Sequence, residues 1–412
     1  MNTDIVVIGG GISGLTSAIE AAETGYNVIL IEKNPYLGGR VVQLNKYFPK
    51  LCPPYCGFEI LIKRLKNLNN LKYITNANVK KVVHINGNYT VDVSILPRFV
   101  NDLCTSCGKC VDVCPVSREN DFNFGMNTTK AIYFPHALAF PALYVIDPKY
   151  CLGKECAKCV NACQYNAIDL AMKEEKIQIN AKSVIVATGW DPYDAKKLAH
   201  LGYGKYQNVI TNIMFERIAS PDGPTKGKIM RISDNKEPKN IAIVQCAGSR
   251  DENYLPYCSQ ICCLASMKHA FYIKEQIADA NITIFYIDLR AYGLYEHFLE
   301  KLQTDKNVTF TRGKVAKIEE TPSKNLIVHV EDTASGIKIK KEFDLVILAT
   351  GMQPSTVSNK IDGLKCDNFG FVIEDDIFNV AGVAKKPSDV SSSIQDATAA
   401  VLGAIQHLRK GE

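Results

Sequence analysis

Twelve of the fifteen cysteines in this 412-residue chain fall into three compact groups, and thiolates at such spacing bind metals. The first group, with the proline that follows it, has the spacing C-x2-C-x2-C-x3-C-P from Cys104 to Pro115. Three thiolates within seven residues can hold one corner of a [4Fe–4S] cube, and the fourth serves the neighbouring cluster of a two-cluster module. Zinc is the alternative metal, but four closely spaced cysteines followed by proline favour iron–sulfur.

The second group, Cys151 to Cys163, has a four-residue first gap where two residues are usual, and no proline follows it. The segments DPKYC before it and NAIDLA after it repeat the half-module pattern of a ferredoxin. We therefore predict a ferredoxin-like insert with two [4Fe–4S] clusters that exchange one ligand each. One cluster takes Cys104, Cys107, Cys110 and Cys163, and the other takes Cys151, Cys156, Cys159 and Cys114. Because of the altered gap, a decayed or [3Fe–4S] site is the alternative for the second cluster.

The third group follows the apolar run NIAIV, which predicts a buried parallel strand. Its spacing is C-x11-C-x3-C-C, and we expect the first cysteine to end the strand while the other three open the next helix, CLASMKHAFYIKEQIA. A helix N-terminus lowers the pKa of a thiol and stabilises an anionic cluster. We predict a third [4Fe–4S] site, with the ligands Cys246, Cys258, Cys262 and Cys263. The alternatives are buried structural cysteines, or a redox role for the vicinal pair Cys262 and Cys263.

The N-terminal stretch DIVVIGGGISGLTSAIEAAETGYNVILIEKN predicts a strand, a glycine-rich loop, a helix and a second strand. Gly9, Gly11 and Gly14 form the pattern G-x-G-x-x-G, and the second strand ends in Glu32. The glycines permit a tight turn and a close approach to a pyrophosphate, whose charge the helix N-terminus stabilises. An acidic residue at the position of Glu32 accepts the ribose hydroxyls. This order of elements predicts a dinucleotide site rather than a purely structural glycine turn.

Four further segments favour FAD, because they resemble the two-dinucleotide flavoproteins of the thioredoxin reductase class. Glu32-KNPYL-Gly38-Gly39-Arg40 is similar to their E-x5-G-G extension, SVIVATGW and LVILATGMQP to their strand-then-ATG segments, and DDIFNVAGV to their last flavin-facing strand. The usual acid after the final Ala-Gly is missing, since Val383 stands there, and Asp389 is the candidate to replace it. The predicted cofactor-binding residues are Gly9, Gly11, Ser13, Gly14, Glu32, Lys33, Gly38, Gly39, Arg40, Thr188, Gly189, Thr350, Gly351 and Gly382.

Three cysteines lie outside the groups. Cys52 and Cys56 in KLCPPYCGFEI are interpreted as a redox pair near the flavin, a shared ligand pair or a rigid turn, and we favour the rigid turn. Cys366 stands alone and is expected to be a small core or surface residue.

Residues 237–344 have strand-and-helix periodicity and take the place of the nicotinamide-binding domain in that class. NIAIV, NITIFYIDL, NVTFTRGKVAKIEE and LIVHVEDT predict its strands. The turn after the first of them is CAGSRD rather than G-x-G-x-x-G, so it lacks the close backbone approach to a second pyrophosphate. We therefore expect no NAD(P)H binding, and electrons that reach or leave the flavin singly through the third cluster.

The predicted fold class is α/β: a two-dinucleotide-binding, thioredoxin reductase-like flavoprotein fold with an inserted two-cluster ferredoxin-like domain. We expect the FAD-binding domain to be built from residues 1–96, 173–236 (with a linker) and 345–412. The ferredoxin-like insert is 97–172, and the degenerate nicotinamide-domain-like unit with its cysteine cluster is 237–344.

Composition limits the remaining possibilities. The net charge is +5 and no basic run with interleaved aromatics appears, so nucleic acid is not an expected partner. No stretch approaches the ~18 apolar residues of a membrane span. The start, MNTDIVVIGGG, lacks the pattern of a signal peptide, so we expect a cytoplasmic protein whose membrane association runs only through partners. Reduced cytoplasmic thiols favour metal binding over disulfides.

The order of these motifs resembles the heterodisulfide reductase A-subunit family along nearly the whole chain. The stretch NPYLGGRVVQLNKYFPKLCPPYCG is most similar to the QmoA flavin subunits of quinone-interacting membrane-bound oxidoreductase complexes in sulfate reducers. That resemblance implies a position peripheral to the inner membrane, beside an HdrA-like flavoprotein, QmoB, and a haem-bearing membrane subunit, QmoC. It also implies electron transfer between menaquinol and adenylylsulfate reductase.

The leading hypothesis is thus a flavin and iron–sulfur electron relay in dissimilatory sulfate reduction. No acid–base residue is singled out, because electron transfer depends on the placement and potential of the cofactors. A second hypothesis is an HdrA-type subunit of a heterodisulfide reductase-like complex, in electron bifurcation or sulfur oxidation. A redox-sensing or scaffold protein with a structural flavin is a third, and a self-contained NAD(P)H disulfide reductase is a fourth, which the missing second glycine loop disfavours.

Overall fold

The computed structural model of this chain describes residues 1–48 and 51–410. Pro49 and Lys50, part of the stretch that resembles QmoA, lie outside the described residues, as does 411–412 at the end of the last predicted domain. Among the described residues, no helix has the length and apolar character needed to cross a membrane.

The strands are, in chain order, β1 (Asn2–Ile8), β2 (Val28–Ile31), β3 (Leu71–Ile74), β4 (Ala77–Ile85), β5 (Asn88–Ile95), β6 (Ser117–Glu119), β7 (Thr128–Lys130), β8 (Ile132–Tyr133), β9 (Val145–Ile146), β10 (Glu175–Val186), β11 (Trp190–Pro192), β12 (Val209–Thr211), β13 (Asn240–Ala247), β14 (Asn281–Tyr286), β15 (Val308–Arg312), β16 (Val315–Glu320), β17 (Leu326–Asp332), β18 (Ile337–Phe343), β19 (Leu345–Thr350), β20 (Met352–Pro354) and β21 (Asn379–Val380). The helices are α1 (Ile12–Glu23), α2 (Pro54–Lys66), α3 (Lys109–Asp112), α4 (Lys158–Ala162), α5 (Asn212–Ala219), α6 (Cys262–Gln276), α7 (Glu296–Gln303) and α8 (Val390–Lys410).

The first sheet has the strand order β3-β2-β1-β10-β5-β4, and β21 pairs with the C-terminal end of β10. Its centre is parallel, and β4 and β5 add an antiparallel edge. Strand β1 is apolar on both faces because both faces are covered: Ile5 and Val7 pack in the core with α1 and α8, and Val6 and Ile8 in the core on the other side. The carboxyl ends of β1 and β10 therefore meet at one edge of the sheet.

The second sheet is parallel, with the order β12-β19-β13-β14-β15. Alternate residues of β13 again face two cores: Ile241 and Ile243 pack in the core that includes residues of α5 and α6, and Ala242 and Val244 in the core with the small antiparallel sheet β16-β17-β18. This double cover explains why NIAIV is apolar at every position after its first.

Two sequence expectations need correction here. NVTFTRGKVAKIEE was expected as one strand, but it forms β15 in the parallel sheet and β16 in the small antiparallel sheet, because the chain turns between Arg312 and Val315. Residues 345–412 and 173–236 were assigned to the FAD-binding domain, and β10, β21 and α8 do lie in the first sheet and its core. Strand β19 instead lies in the middle of the second sheet and β12 at its edge, since their apolar residues fill the second pair of cores.

The two large units are joined by β11 and β20, which leave their sheets and pair antiparallel, with Trp190 opposite Pro354. The insert has its own small core, which contains residues of β8, β9, α3 and α4, while β6 and β7 pair as a separate two-stranded sheet. An isolated bridge between Val100 and Ile168 closes this insert at its base.

Candidate functional site

A large cavity opens at the carboxyl ends of β1 and β10 and extends to α5 and α6; together with the solvent at its mouth it holds about 1840 Å³. Nine of the predicted cofactor-binding residues line it: Gly9, Gly11, Ser13, Glu32, Lys33, Gly39, Arg40, Thr188 and Gly189. The hydroxyl of Thr188 is buried there without a hydrogen-bond partner in the protein. The wall therefore offers unused polar groups to a ligand.

The glycines of the N-terminal loop have two separate roles. Gly9 has φ of +108°, and a Cβ there would lie 2.2 Å from the carbonyl oxygen of Ala187, while a Cβ at Gly14 would lie 1.7 Å from that of Gly9. These two glycines allow the loop to pack against β10. A Cβ at Gly11 would meet no protein atom closer than 3.9 Å, so this position leaves open space on the cavity side. Such a cradle fits a pyrophosphate that approaches the backbone closely.

The Gly11→Ala substitution tests this division of roles. We expect the apoprotein to keep its thermal unfolding temperature, because the added methyl group meets no protein atom. The Kd for FAD should rise by about tenfold or more, since that methyl group occupies the space of the pyrophosphate. Gly14→Ala is the comparison, and it should lower the unfolding temperature. An unchanged Kd in Gly11→Ala contradicts the placement.

The carboxylate of Glu32 is held at the edge of the cavity by backbone groups. One oxygen accepts a hydrogen bond from Gly10 N–H at 2.6 Å, and the other accepts from the backbone and side-chain amides of Asn34, both at 2.7 Å. Burial raises its pKa. A carboxylate has about four acceptor sites, so one beyond these three bonds can receive a ribose hydroxyl. The next loop is fixed against the first, because Gly38 N–H donates to Gly10 O at 2.8 Å.

The remaining predicted cofactor-binding residues do not line the cavity. Gly14 packs on Gly9, Gly38 pairs with the glycine loop, and Gly382 lies against Ser13. Thr350 is buried in a hydrogen bond with the side chain of Asn212, and Gly351 lies against Ser249. From that end of the chain, the cavity is lined instead by residues that include Met352, Ser355, Val383 and Asp389.

Asp389 has a second role. Its carboxylate accepts from Ser392 N–H at 2.7 Å, so it caps the N-terminus of α8, and it also reaches the cavity. Another carboxylate bonds to the final Ala-Gly itself: the backbone N–H of Gly382 donates to the side chain of Asp396 at 2.7 Å.

A buried ionic cluster at the far end of the cavity was missed by the sequence reasoning. Glu216 on α5 accepts from Lys268 Nζ at 2.8 Å and contacts His269 Nε2 at 2.6 Å, and all three side chains are buried and line the cavity. Lys268 Nζ also donates to Lys46 O at 2.6 Å. One pattern in the sequence could have indicated this cluster. Lys268 follows the buried Leu264 by one helical turn, so a lysine lies on the inner side of α6.

Because of this cluster, we expect the free energy of unfolding to depend on pH in the acid range. Burial opposes the ionisation of Glu216, but Lys268 and His269 outweigh it and lower its pKa to about 2. A carboxyl whose pKa falls on folding stabilises the fold above its unfolded value, near 4.3, and loses that contribution as pH falls towards 2. We expect the free energy of unfolding to decline between about pH 5 and pH 2, with a shallower decline in Glu216→Gln. Urea titrations across this range measure both slopes; equal slopes contradict the assignment.

The cysteines of the insert form two four-thiol groups, each lining its own small cavity. The first cage is lined by Cys104, Cys107, Cys110 and Cys163. The second cage is lined by Cys114, Cys151, Cys156 and Cys159. Ile132 lines both, so the cages lie on either side of one residue. These are the two sets that the exchanged-ligand pattern predicts, and four thiolates per cavity suit an iron–sulfur cluster.

The unusual C-x4-C gap is accommodated by a local turn. A single 3-10 turn over Gly153–Glu155 takes up the additional residues between Cys151 and Cys156, and both residues still line the second cage. Backbone N–H groups also point at the sulfurs: Gly153 donates to Cys151 Sγ and Ala167 to Cys163 Sγ, each at 3.4 Å. Such bonds stabilise a thiolate charge.

The third group of cysteines gathers at the C-terminal end of β13. Cys246 lies in a β-bulge with φ of +54°, and Cys262 and Cys263 begin α6. Cys258 was expected to open the helix, but it precedes α6 in the loop. Ile261 and Ala265, which flank the vicinal pair, line the nucleotide cavity. The third group therefore borders the same end of the cavity as the Glu216 cluster.

The expected lowering of thiol pKa values at this helix start is wrong. Burial raises the pKa of Cys246 to about 11, with a further contribution from Cys263, and it raises that of Cys262 as well. Loss of hydration thus outweighs the helix dipole. The neighbouring thiols Cys246, Cys263 and Cys258 each raise the pKa of Cys262 further.

The other cysteines are less buried. Cys52 lies beside Tyr47, whose N–H donates to Cys52 O at 3.1 Å, and Cys56 is exposed in the first turn of α2. Tyr47 lines the nucleotide cavity, so the CPPYC turn lies near it. Cys366 is exposed. Within the described residues, no three Cys, His, Asp or Glu side chains converge closely enough to hold a single metal ion.

Comparison with known proteins agrees with this geometry. Residues 4–190 match the family of FAD-dependent oxidoreductases, which supports FAD as the nucleotide of the large cavity. The thioredoxin reductase of T. acidophilum aligns over 98% of both chains with a TM-score of 0.56 and 16% identity. This likeness concerns the fold alone, and it confirms the predicted thioredoxin reductase-like class.

Sequence relatives are more specific. The chain is 37% identical, over 428 residues, to the A subunit of the H(2):CoB-CoM heterodisulfide,ferredoxin reductase of Methanothermobacter thermautotrophicus. It is 38% identical, over the same length, to the iron-sulfur A subunit of the CoB–CoM heterodisulfide reductase of Methanocaldococcus jannaschii. Each alignment covers 99% of this chain, and the chain spans 64% of each relative. Its close homologues are thus A subunits of heterodisulfide reductases.

Proposed function

We propose that this chain, with its close homologues among the A subunits of heterodisulfide reductases, is an FAD- and iron–sulfur-containing electron-transfer subunit of a larger oxidoreductase complex. The observation that carries the proposal is that one chain combines a dinucleotide cavity with two four-thiol cages, and that a third cysteine group borders the cavity beside Ile261 and Ala265. Bound FAD would supply an exchange of two electrons, which iron–sulfur clusters accept or deliver one at a time.

We assign the following residues to these groups, and the geometry described above supports the assignment. The glycine loop and Glu32 would bind the pyrophosphate and ribose. The first and second cages would each hold a [4Fe–4S] cluster, and Cys246, Cys258, Cys262 and Cys263 a third. Lys268 and His269, held by Glu216, place a proton donor and acceptor at the cavity wall. A proton donor and acceptor is needed at the flavin because a flavin gains or loses protons together with electrons, whereas iron–sulfur clusters transfer electrons only.

The second dinucleotide site of this fold is altered in a way that disfavours NAD(P)H. A Cβ at Gly248, after β13, would lie 2.9 Å from the ring of Tyr193, so that turn is filled by protein. The cysteine group takes the place of the phosphate loop. We expect anaerobic addition of NADH or NADPH to leave the flavin absorbance unchanged, while dithionite bleaches it. A stoichiometric bleach by either nucleotide contradicts this assignment.

Within this frame, we propose a finer role: electron transfer between menaquinol and adenylylsulfate reductase in dissimilatory sulfate reduction. The support is the resemblance of NPYLGGR and the CPPYC stretch to QmoA subunits. QmoB and the haem-bearing QmoC would be its neighbours, and would hold it peripherally at the cytoplasmic face of the inner membrane. The second candidate is an HdrA-type subunit of a heterodisulfide reductase-like complex, which the identity of the relatives favours.

Affinity purification from the native cells distinguishes the two roles. Co-purification with a haem-bearing membrane subunit, together with menaquinol-dependent reduction of adenylylsulfate reductase, is expected for the first. Co-purification with a soluble heterodisulfide-reducing partner, without reduction by menaquinol, establishes the second and refutes the first. Loss of activity on chelation of iron is expected in both.

A further inference from the structure

Two aromatic contacts, joined by a short stretch of backbone, connect the nucleotide cavity with the first cage. Tyr36 lines the cavity, and its ring contacts that of His136 edge-on, with 4.8 Å between the centroids. Only Pro135 separates His136 from Phe134, whose ring lies 5.3 Å from that of Tyr144. Tyr144 lines the first cage. We call Tyr36, His136, Phe134 and Tyr144 the aromatic bridge.

The bridge is held in place by its surroundings. His136 is buried and stacked on Phe122, with 4.8 Å between the ring centroids and an interplanar angle of 11°. The guanidinium of Arg217 lies 4.7 Å from the ring centroid of Phe122. The adjoining backbones are tied together, because Leu37 N–H donates to Phe140 O at 2.8 Å. This packing gives the bridge a fixed geometry.

His136 is a neutral member of the bridge. Burial lowers its pKa to about 4, and its Nε2 is buried without a hydrogen-bond partner in the protein. A buried polar atom without a partner carries a cost in stability and calls for an explanation.

We infer that the aromatic bridge carries electrons between the FAD site and the first cage, an inference that rests on the proposed function. In each transfer one electron crosses the bridge: the donor side is oxidised by one electron, the acceptor cluster is reduced by one, and no covalent bond changes. The first cage is then the immediate exchange partner of the FAD site. The second cage, beyond Ile132, faces the next carrier.

The physical reason is packing. Electron tunnelling weakens faster across empty space than across bonded or closely packed atoms, and interiors packed to crystal density keep such gaps small. Replacing His136 or Phe134 with leucine opens a gap in the bridge, and neither residue lines the nucleotide cavity or the first cage. A second series of contacts lies beside the second cage: Arg118 lies 4.3 Å from the ring centroid of Tyr133, which follows Ile132, and 5.7 Å from that of Tyr150, next to Cys151. We treat it as the rival route.

The test uses the holoprotein with FAD reduced by a light flash and the clusters followed by freeze-quench EPR. We expect His136→Leu and Phe134→Leu to lose the fast phase of first-cluster reduction. Iron content, FAD content and midpoint potentials should stay unchanged, which a merely structural defect would not allow. His136→Phe keeps the ring and should restore the fast phase. Should His136→Leu lose a cofactor, the half-buried Phe134→Leu serves for the same measurement.

The matched controls are Tyr133→Leu and Tyr150→Leu, which should keep the fast phase. The inference is overturned if the bridge variants keep it, or if the rival-route variants lose it. Failure of the proposed function is a different result: the wild-type protein itself would then show no electron transfer from FAD to any cluster.

Discussion

Replacing Cys163 with alanine should remove the cluster held by Cys104, Cys107 and Cys110, although Cys163 belongs to the other half of the sequence motif. We expect a loss of about four irons per chain. The reason is the exchange of ligands between the halves: Cys163 lines the first cage and Cys114 the second. The EPR spectrum that remains in Cys163→Ala should match that of Cys104→Ala.

The reciprocal pair completes this test. The spectrum left in Cys114→Ala should match that of Cys151→Ala, and Cys366→Ala, at an exposed cysteine outside the cages, should keep the full iron content. Should Cys163→Ala resemble Cys151→Ala instead, each motif half holds its own cluster and the exchanged arrangement is wrong.

Glu216→Gln should cost about 3–5 kcal/mol in the free energy of unfolding. The substitution removes the charge that compensates the ammonium of Lys268, which is buried and bonded to Glu216 at 2.8 Å. A buried charge without its partner carries its full dehydration cost. Urea unfolding of the FAD-loaded protein measures the loss, and Glu216→Gln combined with Lys268→Met should recover part of it.

Glu275→Gln is the matched control for that prediction. It breaks the ion pair of Lys46 and Glu275, also a lysine–glutamate contact, at 2.9 Å but at an exposed site. We expect a change of about 0–1 kcal/mol, because water screens exposed pairs. Equal losses of unfolding free energy in the two variants would show that the Glu216–Lys268 pair is hydrated, which contradicts its assignment as a buried ion pair.

Local patterns in the sequence predicted the elements that depend on local physics. The G-x-G-x-x-G loop needs Gly9 and Gly14 for close packing at the strand–loop–helix turn, so neighbouring residues were sufficient to identify it. The thioredoxin reductase-like class followed from several such units in a fixed order. The cysteine spacing likewise predicted the two four-thiol sets that the structure brings together in the insert.

Features that depend on distant packing were not predictable from those patterns. Glu216 and Lys268 meet only because α5 and α6 pack side by side, and neither segment alone indicates an ionic cluster. The second ATG segment resembles a flavin-bordering turn, yet β19 pairs with β12 and β13 and draws Thr350 into the second sheet. The raised pKa of Cys262 also reflects burial by the whole fold, which a helix-start rule does not include.

The most direct test of the account is the iron, acid-labile sulfide and FAD content of anaerobically purified protein, with EPR during stepwise reduction. We predict about twelve irons and twelve sulfides per FAD, with three cluster signals, one of them lost in Cys262→Ala. About eight irons would remove the cluster at the third cysteine group. Iron near zero, with bound zinc in its place, would contradict the electron-transfer function itself.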